Sequence, residues 1–253
     1  MTNIILCGCG GRMGQAIVRA AEGSNYRIVA GIDANADAVA PVCKFPVYQS
    51  ISDFPGHADV IIDFSHHTAL PSLLAYGKAN ATPIVIATTG HTDEEKALMR
   101  ETSEELAVFF SGNMSIGINL LIELAKNAAK ALGESFDVEI IEKHHNQKLD
   151  APSGTALMIA DALCEERNET EYVYDRHSVR KARDSREIGI HSVRGGTIVG
   201  EHEVIFAGSN EIINISHTAM SREIFANGAL KAAEYISHKP AGMYNMSDLI
   251  NGR

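Results

Sequence analysis

Residues 1–115 alternate short apolar runs with longer stretches of helical spacing. Residues 3–7 make a run of strand length, residues 15–22 a helix, and residues 27–33 a second strand ending in an acid. The run at residues 58–64 is typical of a parallel strand covered on both faces. A helix is predicted over 68–80, a fourth strand over 83–88, and a polar, acidic helix over 93–106 capped by Thr92 or Asp93. Residues 107–111 form a fifth strand. Regular alternation of strand and helix implies a doubly wound parallel sheet with right-handed crossovers.

From Ile116 the pattern changes. Residues 116–132 read as one long helix whose apolar face is marked by Ile116, Leu120, Leu121, Leu124, Ala125 and Ala128. Longer strands follow at 136–142, 188–194, 197–207 and 211–218. In the third of these, Glu201, Glu203 and Ile205 share one face while His202, Val204 and Phe206 share the other. This is the signature of a mixed or antiparallel sheet in a second, α+β domain. Residues 168–186 are polar and charged, an exposed loop or short helix. A last helix at 222–237 is placed to return to the first domain. The division is therefore 1–115, completed by 222–253, and 116–221.

The junction between the first strand and helix carries the clearest chemistry. Gly8, Gly10 and Gly14 give the G-x-G-x-x-G spacing, with Gly11 as an extra glycine. Strand, glycine loop and helix in that order make a dinucleotide fingerprint, in which bare backbone N–H groups and a helix N-terminus meet a pyrophosphate. Asp33 follows Gly14 by 19 residues, near the ~20-residue spacing of an acid that holds the adenosine ribose. The first domain is thus of Rossmann type. The alternative is a glycine-rich turn with an Asp that only ends a strand.

Composition narrows the class. The chain has 253 residues, 45% hydrophobic and 21% charged, with a net charge of −10. That balance fits an ordinary globular protein and disfavours a nucleic-acid surface. No apolar run reaches the ~18–20 residues of a membrane span, and the first residues do not read as a secretory signal. Cys7, Cys9, Cys43 and Cys164 make no disulfide framework in a chain of this length. No partners follow Cys7 and Cys9 at zinc-site spacing, so no metal is expected. The expected setting is the reducing cytoplasm.

A second informative segment runs over residues 142–157. His144, His145 and Lys148 put two imidazoles and an ammonium within five residues, where a proton can be given or taken. Pro152 suits a first helical turn. Ser153, Gly154 and Thr155 then offer hydroxyls and N–H groups at a helix start, a site for an anion. The His-His-x-x-Lys pattern by itself is equally a polar connector leading to an N-cap.

The whole string, taken with residues 8–14, 87–90, 193–202 and 221–229, resembles the 4-hydroxy-tetrahydrodipicolinate reductase (dihydrodipicolinate reductase) family along essentially the full chain. The resemblance implies an NAD(P)H-dependent reductase of lysine and diaminopimelate synthesis that acts on a small dicarboxylate. It also implies a homotetramer built by the second domain and a hinge that closes around substrate. On that basis Gly8, Cys9, Gly10, Gly11, Arg12 and Met13 lie on the pyrophosphate and Asp33 on the ribose. Ala87, Thr88 and Thr89, with Ser111, Gly112, Asn113 and Met114, approach the nicotinamide half. His144 is a proton donor or acceptor, Lys148 a second donor, and His145, Gly154 and Thr155 substrate contacts. Ala87 stands where many members have Gly, Met114 where many have Phe, and Asn146 and Gln147 replace Arg and His found in some. Ala34, Asn35, Ala36 and Asp37 offer no cation to a 2′-phosphate, so NADH is the expected cofactor. Arg12 leaves NADPH open as a second one.

Several other residues have two readings. His66 and His67 read as a helix N-terminus facing solvent, and His91 as a neighbour of the nicotinamide site. Arg176, Arg180, Lys181, Arg183 and Arg186 form a basic stretch, either solvated surface or a steering patch for a dianion. Arg222 is placed at the hinge. Competing functions are a related amino- or imino-acid dehydrogenase and a dinucleotide sensor without turnover. The first lacks a reason to carry the 144–156 string.

Overall fold

A computed structural model describes residues 1–252, which form two compact units. Unit 1 is Met1–Ile116 with the segment from Arg222 onward, and unit 2 is Gly117–Ser221. Unit 1 begins with β1 (Thr2–Cys7), α1 (Arg12–Ala21), β2 (Tyr26–Ile32), α2 (Ala36–Val39), β3 (Val47–Tyr48) and β4 (Val60–Asp63). It continues with α3 (Leu70–Asn80), β5 (Ile84–Ile86), α4 (Asp93–Ser103) and β6 (Ala107–Phe110). Their order across the sheet is β6-β5-β4-β1-β2-β3, all parallel. The chain winds outward from β1 through β2 and β3, then crosses back to β4. The carboxyl ends of β1 and β4 therefore flank the switch point, where open α/β sheets bind ligands.

Both faces of this sheet are covered, which is why its strands are apolar runs. Ile4 and Leu6 enter one core while Ile5 and Cys7 enter the other. The helix predicted from residue 68 starts at Leu70, because His67–Ala69 makes a separate 3₁₀ turn. Pro71 lies in the first turn of α3, where its missing N–H leaves no bond unmade. Thr92 is the N-cap of α4. Its side chain accepts from the Glu95 N–H at 3.2 Å, and Glu95 accepts from the Thr92 N–H at 2.8 Å.

Unit 2 contains α5 (Ile116–Leu132) from its second residue, β7 (Asp137–His144), α6 (Gly154–Cys164), β8 (Glu171–Val173), β9 (Glu187–Arg194), β10 (Gly200–Ala207) and β11 (Ile212–Ala219). The sheet order is β11-β10-β7-β9-β8. It is mixed, with β7, β9 and β8 parallel and β10 antiparallel to both neighbours. Alternation is clean: Val138, Ile140, Glu142 and His144 of β7 are buried, as are His202, Val204 and Phe206 of β10. The core stripe of α5 differs from the predicted one. Ile118, Leu121, Ile122, Ala125 and Ala129 are buried, whereas Leu120 and Leu124 are 45% and 47% exposed. Asn119, Glu123, Lys126, Asn127 and Lys130 share one face and leave more than half of the circumference apolar, so periodicity offers two adjacent stripes. The polar stretch at 168–186 also holds a strand, β8, paired with β9.

The chain then re-enters unit 1 at Arg222. There α7 (Glu223–Ile236), β12 (Gly242–Tyr244) and α8 (Met246–Asn251) follow. β12 joins β6 as the seventh parallel strand. α7 buries Ala226, Ala229, Leu230, Ala233 and Ile236 in the same core as Ile17 of α1.

Candidate active site

In unit 1, Gly8 closes β1 with φ of +76°, and a Cβ there would stand 2.5 Å from the Phe64 carbonyl oxygen. Only glycine permits both the left-handed turn and this approach between the loops after β1 and β4. The N-cap of α1 is Gly11, which gives no side-chain capping bond. The first-turn N–H groups thus remain available to an anion. Asp33 directly follows β2, and its carboxylate accepts from the Gly10 N–H at 2.9 Å and the Asn35 N–H at 3.0 Å. A cavity of about 450 Å³ opens beside it, lined by Gly8, Gly11, Asp33, Ser50, Phe64 and His66 among others. Arg12 is exposed and Met13 half-buried at the start of α1. Cys9 lies beneath the loop with its sulfur against Gly31, and burial pushes its thiol up to about 12, so it is an inert packing residue.

The remaining predicted cofactor residues gather at the same sheet edge. Ala87 and Thr88 are buried and Thr89 exposed after β5; Ser111, Asn113 and Met114 are buried and Gly112 exposed after β6. Asp63, absent from the predicted set, ties this edge together. Its buried carboxylate accepts from Thr88 Oγ1 at 2.8 Å and from the Ser65 N–H at 3.0 Å. His91 is buried against Phe110, 3.3 Å from Glu95, while His67 pairs with Glu95 at 2.9 Å. His66 caps the 3₁₀ turn by accepting from the Thr68 N–H, and it lines the cavity.

In unit 2, His144 is the last residue of β7, and its Nδ1 lies 2.6 Å from Glu142 Oε2. Arg194, at the end of β9, donates to both Glu142 oxygens at 2.7 and 2.8 Å. Ser153 donates its N–H to Glu142 at 3.1 Å, and its hydroxyl lies 3.1 Å from His202 Nε2. Ser153 also caps α6 by accepting from the Ala156 N–H. Pro152 therefore precedes the cap rather than occupying the first turn. Lys148 Nζ sits 2.9 Å from Asp150 in the connecting loop, and His145 is half-buried. Gly154 and Thr155 open the helix, exposed and half-buried respectively. Burial pushes the Glu142 carboxyl up, but its bonds from Arg194 and His144 outweigh this and hold it at about 2. Burial lowers His144 against the opposing pull of Glu142. It also brings His202 to about 4.

Two family models account for nearly the whole chain: dihydrodipicolinate reductase, N-terminus, over residues 2–114, and dihydrodipicolinate reductase, C-terminus, over residues 117–250. The chain belongs to the dihydrodipicolinate reductase family. A 4-hydroxy-tetrahydrodipicolinate reductase from Caldanaerobacter subterraneus subsp. tengcongensis is 52% identical, covering 99% of this chain and 98% of its own. A dipicolinate-bound dihydrodipicolinate reductase from Paenisporosarcina sp. TG-14 superposes with a TM-score of 0.82 at 27% identity, over 97% of both chains. Aspartate dehydrogenase from Thermotoga maritima shares the fold alone, with a TM-score of 0.54 and 10% identity over 94% of this chain and 98% of its own.

In this reductase most of the basic stretch is ion-paired, while Arg180 is exposed. Arg176 bonds Glu139 and Glu187, Lys181 pairs with Glu187, Arg183 with Asp137 and Glu139, and Arg186 with Asp184. The pairs of Arg176, Lys181 and Arg183 fasten the segment to β7 and β9, whereas Arg186 and Asp184 pair within it. Glu142 and Arg194 were missed as site residues, although Glu142 lies two positions before His144 on one strand and so on the same face. Among the described residues no group of three or more His, Cys, Asp or Glu is placed to hold a metal ion. No helix among them is long and apolar enough to cross a membrane.

His202 gives the reductase a distinct acid response. Its folded value of about 4 lies below the ordinary 6.5, so the unfolded chain takes up a proton first as pH falls. Stability is then lost between these two values, by about 3 kcal/mol at 1.36 kcal/mol per unit. His202→Gln is expected to flatten that part of the curve in denaturant unfolding from neutral to acidic pH. An unchanged slope would mean that His202 takes up its proton in the fold as readily as in the unfolded chain.

Proposed function

We propose that the chain reduces 4-hydroxy-tetrahydrodipicolinate to tetrahydrodipicolinate with NADH or NADPH, in lysine and diaminopimelate synthesis. The observation that carries this is one short segment of unit 2 holding His144, Lys148 and the N-terminus of α6. Substrate and product differ by the 4-hydroxyl, which leaves as water, so a hydride and a proton are consumed. The reduced nicotinamide supplies the hydride when bound. The glycine approach at Gly8, the uncapped start of α1 and the adjoining cavity fit a dinucleotide. His144 Nε2 and Lys148 Nζ supply proton positions for the leaving oxygen and the ring. His145, Gly154 and Thr155 hold the substrate carboxylates. The same reading makes the enzyme a cytoplasmic homotetramer.

The acids Asp33 and Asp37, with no cation between them, disfavour a 2′-phosphate. With substrate made in place by the preceding synthase, nicotinamide absorbance is expected to fall with either cofactor. A kcat/KM at least about tenfold higher for NADH, or ~1.4 kcal/mol, is expected. A preference for NADPH would overturn the Asp33 argument. No turnover by folded, dinucleotide-binding protein would overturn the reaction and favour a related dehydrogenase or a sensor.

A further inference from the structure

We infer that Glu142 is the positioning residue of the proton-transfer histidine, and that Arg194 locks Glu142 in that place. This rests on the role given to His144 above. Glu142 and His144 project from the same face of β7, and the carboxylate is fully buried. Four bonds converge on its two oxygens, from His144 Nδ1, both terminal nitrogens of Arg194 and the Ser153 N–H. Two carboxylate oxygens offer about four lone-pair sites. Glu142 is therefore saturated by the protein and acts on substrate only through His144.

The chemistry of the pair fixes the tautomer. An ionised carboxylate only accepts, so the proton of a neutral His144 sits on Nδ1 and Nε2 is left as the exchangeable position. The neighbour of that nitrogen on β10 is a residue without a side chain. Gly200 is the neighbouring residue there, and a Cβ at that position would stand 3.1 Å from Nε2. An orienting carboxylate behind a working imidazole is a recurring solution to holding one tautomer and stabilising the imidazolium. Arg194 is equally committed. Besides Glu142, its terminal nitrogens donate to the carbonyl oxygens of Asp150 and Val193 at 2.6 and 2.8 Å. Its charge thus serves the carboxylate rather than a substrate.

The charged and titratable groups around His144 are Glu142 on its own strand, Arg194 on β9, His202 on β10, and Lys148 and Asp150 in the loop. Glu142 favours the imidazolium, while Lys148 and Arg194 oppose it. Removing the Glu142 charge must move His144 to lower pH, and removing the Arg194 charge must move it higher.

The test is the pH profile of kcat/KM for wild type, Glu142→Gln and Arg194→Gln, at saturating NADH, with NADH affinity and melting temperature measured alongside. The limb belonging to His144 is the one lost in His144→Gln. Glu142→Gln is expected to lower kcat about 10²-fold and to shift that limb to lower pH, with NADH affinity unchanged. Arg194→Gln is expected to shift it the opposite way. An unmoved limb in Glu142→Gln overturns the inference. If that variant does not fold, an unmoved limb in Arg194→Gln does so. Absence of wild-type turnover would instead overturn the proposed reaction.

Discussion

His144→Gln is expected to lower kcat by about 10³-fold, within the range for loss of a general acid or base, while NADH binding is unchanged. The reasons are geometric. His144 belongs to unit 2, whereas every residue proposed for the cofactor belongs to unit 1. Glutamine carries an amide N–H toward Glu142, so the buried carboxylate is not stripped of a partner and the sheet is kept. Steady-state rates and NADH fluorescence titration separate the two effects. Lost affinity with intact turnover would move the proton-transfer role away from this residue.

The second large effect is expected at Gly14. Alanine is favoured over glycine inside a helix by about 1 kcal/mol, so propensity alone makes Gly14→Ala stabilising. Packing opposes it. A Cβ at residue 14 would lie 2.7 Å from both the Cys9 Cα and the Cys9 carbonyl oxygen. Backbone cannot yield as a flexible side chain does, and such overpacking costs about 1–3 kcal/mol. We expect a net loss of about 1 kcal/mol on those two figures. NADH affinity should weaken by more than about tenfold as α1 is pushed away from the Gly8–Gly11 loop. Thermal melting and fluorescence titration decide it, and a raised melting temperature with wild-type affinity would show that the loop tolerates the methyl group.

These effects also mark what the sequence makes legible. The nucleotide unit is readable because its signal is local: Gly8, Gly10, Gly14 and Asp33 follow one another along strand, loop, helix and strand. The strands β3, β8 and β12 were not foreseen. Each has two or three residues, too few to show a period, and each exists through pairing with a longer neighbour. The inward stripe of α5 was misassigned because its apolar residues occupy more than one face. The candidate proton site divides the same way. His144 and Lys148 lie within five residues of each other, but Arg194 reaches Glu142 across 52 residues through the register that sets His144 opposite Arg194. The basic stretch resembles free surface until Asp137, Glu139 and Glu187 are placed beside it.

The order of the chain has a consequence for synthesis on the ribosome. Residues 117–221 form a contiguous insertion, complete in itself, whereas unit 1 is interrupted by it. When residue 221 has been added, every strand of the second sheet has been translated, but α7 has not. The nascent first unit then lacks Ala226, Leu230 and Ile236 from its core, and β6 presents an unpaired edge where Gly242–Tyr244 will later dock. Nascent chains ordinarily complete their domains from the N-terminus onward. Here the segment translated second is the one able to finish folding first.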